Sequence, residues 1–534
     1  MTPPRRLAHM RILRTAALAA GVALVGACNN KDLTSINTNP NNPTDAPIGP
    51  LFTQATVTAV PRWMNNIRTA GLVVEQTAEV QYPDEDRYVR LDAASTGGLL
   101  TGPYSSELED FQQVINKAVA LKRPATYGPA LAMQVWDLSY MTDTFGDIPW
   151  SQALKADSGI FSPSYDTQQA VYTAMFAQLN RAVTDMAGSA AGEPTLGSAD
   201  PIYNGDVSKW EKFANSLRAR LAMRIVNVDA ATAGTELAKA LNGPGGVFAS
   251  NADNAQLKYP GDGVFDNPIA STLKSRDDFR MSQNLMNLLL ANNDPRIAIY
   301  ATPTVDFSSG KPGAVQYAGM PNGLLTDSAG KFFNIASRPG LIFYPGATAY
   351  GTLGGNGAKQ PVVFMTFEEL SFIKAEAAER GMAGLTPGQA AGFYNAAITA
   401  SMQRWSAYIG ATAISAAQIS AYLAQPSVAY QGGVAGLKQI ATQKYIALFT
   451  DGYNAWAEWR RTCQPSTVKH GPSTIVAYIP RRFYYPTAET SANGESVAAA
   501  VAHQGADNFG TAVWWDTKGS AAPTFVSAAV CAGS

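Results

Sequence analysis

Apolar residues recur at helical spacing through much of the chain. Between Asp166 and Met186, Val171, Met175 and Leu179 fall four residues apart, and Tyr172 and Phe176 widen the stripe. Asp166 with Gln169 three residues on predicts a capped start. A second stripe, Trp210, Phe213, Leu217, Leu221 and Ile225, follows Ser208 and Glu211, which stand at capping-box spacing. A third starts at Thr366 with Glu369, carries Phe367, Leu370, Ile373 and Ala377, and stops at Gly381, a residue suited to the position after a helix. Segments 131–145, 280–291, 387–405 and 438–461 also read as helices. Between them lie stretches rich in Gly, Pro, Tyr and Asn, at 81–106, 187–206, 243–279, 300–363 and 463–525. Loops of that length bind something or pack as irregular structure. The helix lengths suit helix-turn-helix repeats, although no repeat consensus is legible.

The first residues break this pattern. The run from Thr15 to Ala27 is apolar and small, behind Arg5, Arg6, Arg11 and Arg14 and no acid, and it closes on Gly26-Ala27-Cys28. That is the layout of a bacterial secretory signal, and it is shorter than the roughly 20 apolar residues that span a bilayer. Small residues directly before a cysteine suit a lipoprotein peptidase, which leaves Cys28 acylated as the mature N-terminus. An ordinary signal followed by a chance cysteine is the alternative. The polar, proline-punctuated Thr34 to Pro47 is a poor helix or central strand and reads as an extended tether. The expected division is signal 1–27, lipidated tether 28–47 and one body, 48–534.

Composition narrows the partners. The signal holds four Arg and no acid, so the 40 basic and 41 acidic residues of the chain become 36 and 41 in the mature protein, a net −5. Nucleic acid is not expected, because phosphate binding needs a concentrated basic field. No second apolar run reaches spanning length, so the membrane contact expected is the lipid. With Cys28 lipidated, Cys463 and Cys531 are an even pair in an oxidising compartment, and either a disulfide or two free thiols fits. His9 leaves with the signal, and His470 and His503 are too few for a histidine metal site, so no metal or cofactor is expected.

No nucleophile elbow, zincin, Walker A or calcium-loop motif occurs, and no catalytic residue is assigned. Glu211 and Glu369 sit where capping boxes want them, and Glu376 precedes Arg380 by the spacing of an ordinary exposed helix pair. Trp136, Trp210 and Trp405 lie in helical stripes and read as core, and Trp456 and Trp459 as packing. Loop aromatics are different. Trp63, Tyr82, Tyr88, Tyr104, Tyr300 and Tyr317, with Arg87 among them, fall in or beside turn-rich segments. Rings that stack on C–H faces, flanked by groups that bond hydroxyls, are what sugar recognition needs, and these seven are the ligand-contact candidates. Half-buried packing is the competing account of each.

Several segments, in order across nearly the whole mature chain, resemble the SusD/RagB family of outer-membrane nutrient-binding lipoproteins, in its second large subgroup. They are Asn37-Thr38-Asn39-Pro40-Asn41-Asn42-Pro43; Thr142-Asp143-Thr144-Phe145-Gly146-Asp147-Ile148-Pro149-Trp150; Pro163 to Gln168; Tyr203-Asn204-Gly205-Asp206; and Trp210 to Arg218. Later come Glu368-Glu369-Leu370, Lys374 to Gly381, Trp456 to Arg461, Ile479-Pro480-Arg481-Arg482, Tyr485-Pro486 with Glu489 and Asn493, and Val513 to Asp516. The resemblance implies a mainly α fold: tetratricopeptide-like helix pairs forming one large body, with long irregular loops and minor β-strands. It also implies a lipid-anchored outer-membrane protein facing the cell exterior. Such a protein captures oligosaccharide or peptide for a SusC-like TonB-dependent transporter, without catalysis. The matching motifs are mainly structural and transfer no ligand residues. Two departures stand out. Cys463 follows Arg460-Arg461-Thr462 where glycine is usual in the family, which with Cys531 favours a disulfide. Only Lys31-Asp32 is charged just after Cys28, a thin surface-export signal that leaves a periplasmic face open. A secreted lipid-anchored glycoside hydrolase and a structural surface lipoprotein are the competing readings.

Overall fold

The computed structural model describes residues 46–64, 67–409 and 413–517. The signal, Cys28, the tether to residue 45 and Cys531 lie outside the described residues.

Six long helices open the body: α1 (Ile48–Met64), α2 (Glu107–Ala120), α3 (Pro124–Phe145), α4 (Gln168–Ala187), α5 (Val207–Arg224) and α6 (Ala230–Asn242). Each packs on the next, α1 meeting α2 across an excursion of the chain. Three residues separate α2 from α3 and five separate α5 from α6, so the chain turns straight back at both places. α3 is buried over all but its first residue, which makes it the central rod. After α6 the chain leaves the stack for residues 243–366. It returns as α7 (Phe367–Glu379), which packs on α5, followed by α8 (Pro387–Ile409), α9 (Gly433–Ala447) and α10 (Gly452–Thr462). The fold is mainly helical with paired helices, as the amphipathic stripes predict. Strands are short antiparallel pairs: Thr77–Glu79 with Phe279–Met281, Ile148–Pro149 with Tyr165–Asp166, Ala255–Leu257 with Val362–Met365, and Pro345–Thr348 with Gly351–Gly354.

One apolar core runs from Phe52 in α1 to Trp515 near the C-terminal end. Trp136, Trp210, Trp405, Trp456 and Trp459 are all inside it, as their spacing predicts. Burying a large apolar side chain contributes about 1.5–3 kcal/mol, so this face-to-face burial is the main force holding the stack. A second, small cluster of Ala78, Val80, Met320, Ala329 and Ala336 lies beneath the long loops.

The helix starts differ from the expected ones in instructive ways. α4 is capped by Thr167, whose hydroxyl accepts from Ala170 N at 3.2 Å. Asp166 is held by the adjacent strand pair, and its carboxylate accepts from Trp150 N at 2.9 Å and Ser151 N at 2.7 Å. α5 is capped by Asp206, not Ser208, which leaves Glu211 outside any capping box. Thr366 caps α7 as expected, accepting from Glu369 N at 3.3 Å. The Glu369 carboxylate, however, turns inward to Arg220 Nε at 2.7 Å instead of back to the cap. The expected helix 438–461 divides into α9 and α10, because Thr450 takes a left-handed φ of 75° and Asp451 starts a new helix by accepting from Asn454 N.

Glu376 is a correction. It does pair with Arg380 at 2.9 Å, but it is buried, and Arg461 grips both of its oxygens at 2.7 and 2.6 Å. Arg461 also reaches Glu458 at 2.6 Å, which pairs in turn with Arg224 at 2.8 Å and Lys444 at 3.3 Å. An ionic network thus crosses the core between α5, α7, α9 and α10. Cys463 is buried at the end of α10 and is disulfide-bonded.

Candidate functional site

Three loops converge beside the strand pair formed by Thr77–Glu79 and Phe279–Met281. The first, residues 80–91, closes on itself: Asp84 N donates to Tyr82 O, Arg87 N to Pro83 O and Val89 N to Asp84 O, at 2.8, 3.0 and 2.8 Å. The second contains Asn322 and Gly323, and the third spans residues 470–476. Asp86 ties the first loop to the second, accepting from Asn322 Nδ2 at 2.7 Å and Gly323 N at 3.0 Å. Asn322 donates on to Thr77 O at 2.7 Å, which fastens the joint to the strand. The third loop joins through Arg87 Nε to Ser473 O at 3.0 Å, Ile475 N to Arg87 O at 3.1 Å and Ser473 N to Gly323 O at 2.9 Å. Gly323 is required here. Its φ is +65°, and a Cβ would stand 2.8 Å from both Gly471 Cα and Thr474 Cγ2.

Beneath this joint lie carboxyl groups that burial drives toward the neutral form. Burial first, then the neighbouring acids Glu85, Asp86 and Asp278, push Glu79 up to about 9. Burial pushes Asp86 up to about 7 against the hydrogen bonds from Asn322 and Gly323. Glu75 rises to about 8, again by burial. None of the three is exposed, so they brace the loops from within and do not face solvent.

Above the joint the loops present Tyr82, which is 74% exposed and held at a left-handed φ of 54°. Leu325 and Ile475, from the other two loops, are also exposed. Backbone strain at a non-glycine residue persists only where the surroundings over-determine it, and here the bonds within residues 80–91 do so.

The seven candidate residues separate. Tyr82 and Arg87 belong to this joint. Tyr88 is in the same loop and also left-handed, but its ring packs into the core, where it is 2% exposed. Trp63 is fully buried in α1 with its indole N–H donated to Asp137, and Tyr300 is fully buried with its hydroxyl donated to Ile446 O at 3.1 Å. These three are corrections: their rings offer no face to a ligand because the core occupies both sides. Tyr104 is half-buried, and its hydroxyl is spent on Pro149 O. Tyr317 lines a separate open cleft of about 480 Å³ with Leu290, Asn293, Tyr422 and Gln425.

Beside the first loop opens a more polar cleft of about 400 Å³, lined by Arg62, Arg68, Glu85, Arg90, Thr96 and Tyr453, among others. Glu85 and Arg90 come from the same 80–91 segment as Tyr82. Aromatic spacing does not reveal these arginines. Their signal is density: Arg62, Arg68, Arg87 and Arg90 fall within 29 residues of a chain that has only 40 Lys and Arg in 534. Among the described residues, no group of His, Cys, Asp and Glu is arranged to hold a metal, and no helix is long and apolar enough to cross a membrane.

The comparisons with known proteins agree with this architecture. None of the curated proteins matches the chain. Among solved structures, a "chitin-binding protein" is similar at 26% identity and a TM-score of 0.74, covering 88% of this chain and 100% of that one. A chitin-binding SusD homolog from Flavobacterium johnsoniae is 28% identical with a TM-score of 0.70, over 88% of this chain and 97% of its own. A SusD homolog from Bacteroides uniformis is 26% identical with a TM-score of 0.71, over 88% and 99%. The family described as "SusD-like_2: Starch-binding associating with outer membrane" matches residues 40–486. With most of its length inside that match and its paired-helix body like those of SusD homologs, the chain belongs to the SusD-like family.

Proposed function

We propose that this protein is a non-catalytic outer-membrane lipoprotein that captures oligosaccharide on its loop face and passes it to a SusC-like TonB-dependent transporter. The observation that carries the reading is the three-loop joint, which fixes the loop backbone that presents the exposed Tyr82 on a SusD-like body. With the backbone braced, a tyrosine has only two side-chain torsions to order, so stacking against a sugar face is offset by little ordering cost. Membership in a family described as starch-binding and outer-membrane-associated supports the ligand class, as do the two chitin-binding relatives. The hydrolase reading draws no support from the site: its carboxyls with raised pKa are buried under the loops, out of reach of a glycosidic oxygen.

The test is calorimetric titration of the full chain with malto-, chito- and other oligosaccharides, alongside product analysis. Binding without cleavage is expected, with Tyr82→Ala weakening affinity roughly five- to tenfold. The ring is exposed, so the melting temperature should hold. Cleavage of a bound sugar, abolished by removing one Asp or Glu, would sink the reading.

A further inference from the structure

The arginine-lined cleft beside the 80–91 loop brings three guanidiniums together. Arg62 forms its inner wall and is saturated, with Nε to Glu107 Oε1 at 2.6 Å and Nη1 to Gly98 O at 2.6 Å. It fits because residue 102 is glycine; a Cβ there would lie 2.3 Å from Arg62 Nη1. Arg68 is partly exposed and pairs with Glu85. Arg90 is different. It is exposed at the cleft and, among the described residues, its guanidinium makes no hydrogen bond or ion pair; Asp92 feels its charge through space. Thr69, also on the wall, holds φ 42° and ψ −103°, an unusual backbone for a β-branched residue, of the kind that clusters at binding sites.

Two features decide what such a cleft prefers. Guanidinium is planar and matches a carboxylate with two parallel hydrogen bonds, a geometry that a neutral hydroxyl cannot reproduce. Of the three lining guanidiniums, Arg62 is paired with Glu107 and Arg68 with Glu85, so only that of Arg90 has no hydrogen-bonded carboxylate, with Asp92 acting on it through space. We infer that this cleft binds the carboxylate of an acidic sugar, with Arg90 as the principal contact and Arg68 beside it. This rests on the oligosaccharide reading above and deepens it: the cargo is an oligosaccharide carrying a uronate, whose neutral rings lie toward Tyr82 while its carboxylate enters the cleft. The cleft takes Glu85 and Arg90 from the same 80–91 loop that carries Tyr82.

The experiment compares an oligogalacturonate with the same oligosaccharide after carboxyl reduction, both titrated into the full chain at low salt. The uronate is expected to bind at least about tenfold tighter, the factor one charge-assisted pair supplies. That ratio should shrink at about 0.5 M salt as the charge is screened. Arg90→Ala should bring the ratio toward one, and Arg90→Lys, which keeps the charge but loses the fork, should fall between. Equal binding of the two sugars, or a ratio that Arg90→Ala leaves standing, overturns the inference. So does tighter binding of an acidic peptide than of the uronate. If both galacturonate-derived ligands fail while malto- or chito-oligosaccharide binds, the acidic class is wrong and the oligosaccharide reading stands. If no sugar binds, both fall.

Discussion

Burial would raise the Glu458 carboxyl as it does that of Asp86, yet Arg461, Lys444 and Arg224 together outweigh it and hold Glu458 well below the usual carboxylate range. Glu376 likewise falls to about 2, its burial outweighed by Arg461 and Arg380. Asp86 and Glu79 have weaker cationic support and rise to about 7 and about 9. The two regions therefore respond to pH with opposite sign. For Asp86 and Glu79 the folded form binds protons more tightly than the unfolded chain, so their stabilisation is full below about pH 4 and is lost as pH rises through about 7 and then about 9. For the core network the folded form binds protons less tightly, so stabilisation is present above about pH 4 and is lost as pH falls through about 2. Hydrogen exchange corrected for intrinsic rates is expected to show residues 79–91 and 320–325 losing protection between about pH 6 and 9, with α9 and α10 unchanged there. Uniform behaviour of both regions over that range would contradict it.

At the scale of elements, a helix needs its stripe and its cap, and the two are specified differently. The stripes of α4, α5 and α7 follow from spacing alone. Caps depend on which polar side chain is free, and Asp166 is not free because the strand pair Ile148–Pro149 with Tyr165–Asp166 claims it. Thr366 is free, and its hydroxyl satisfies Glu369 N, an otherwise orphaned donor at the start of α7. Thr366→Ala is expected to lower stability by about 1 kcal/mol in urea unfolding, while Thr366→Ser stays near the parent. Equal losses in both would show that the methyl group, not the cap, is what matters. The same logic explains why α9 and α10 are two helices. Their stripe continues across residues 448–451, but the left-handed Thr450 interrupts the hydrogen-bond ladder.

Over the whole molecule, the paired helices form a scaffold, and the proposed binding face falls on the excursion of residues 243–366 with the 80–91 and 470–476 loops. Cys28 and the residues that follow it lie outside the described residues, yet their role in the proposed function is mechanical: a lipid and a short tether hold the body at a membrane while it swings over a pore. Protein solubilised from membranes in mild detergent is expected to bring a large β-barrel with it. Cys28→Ser should move the protein to the soluble fraction and end that co-purification. Unchanged membrane association of the variant would remove the anchor from the account.

Sequence by itself determined the helical body, most of its stripes and the five core tryptophans, because a 3.6-residue period is a local property that burial enforces. Ordered motifs carried the family for the same reason: each is a short structural unit. Only the tertiary structure decided which charged and aromatic side chains meet. Glu376 finds Arg461 across 85 residues, Arg224 finds Glu458 across 234, and Arg87 meets Ser473 across 386. No local pattern encodes such distances. Tyr82 and Tyr88 stand six residues apart in one loop, each with a left-handed φ, and only the packing of that loop on the body leaves one ring in solvent and the other in the core.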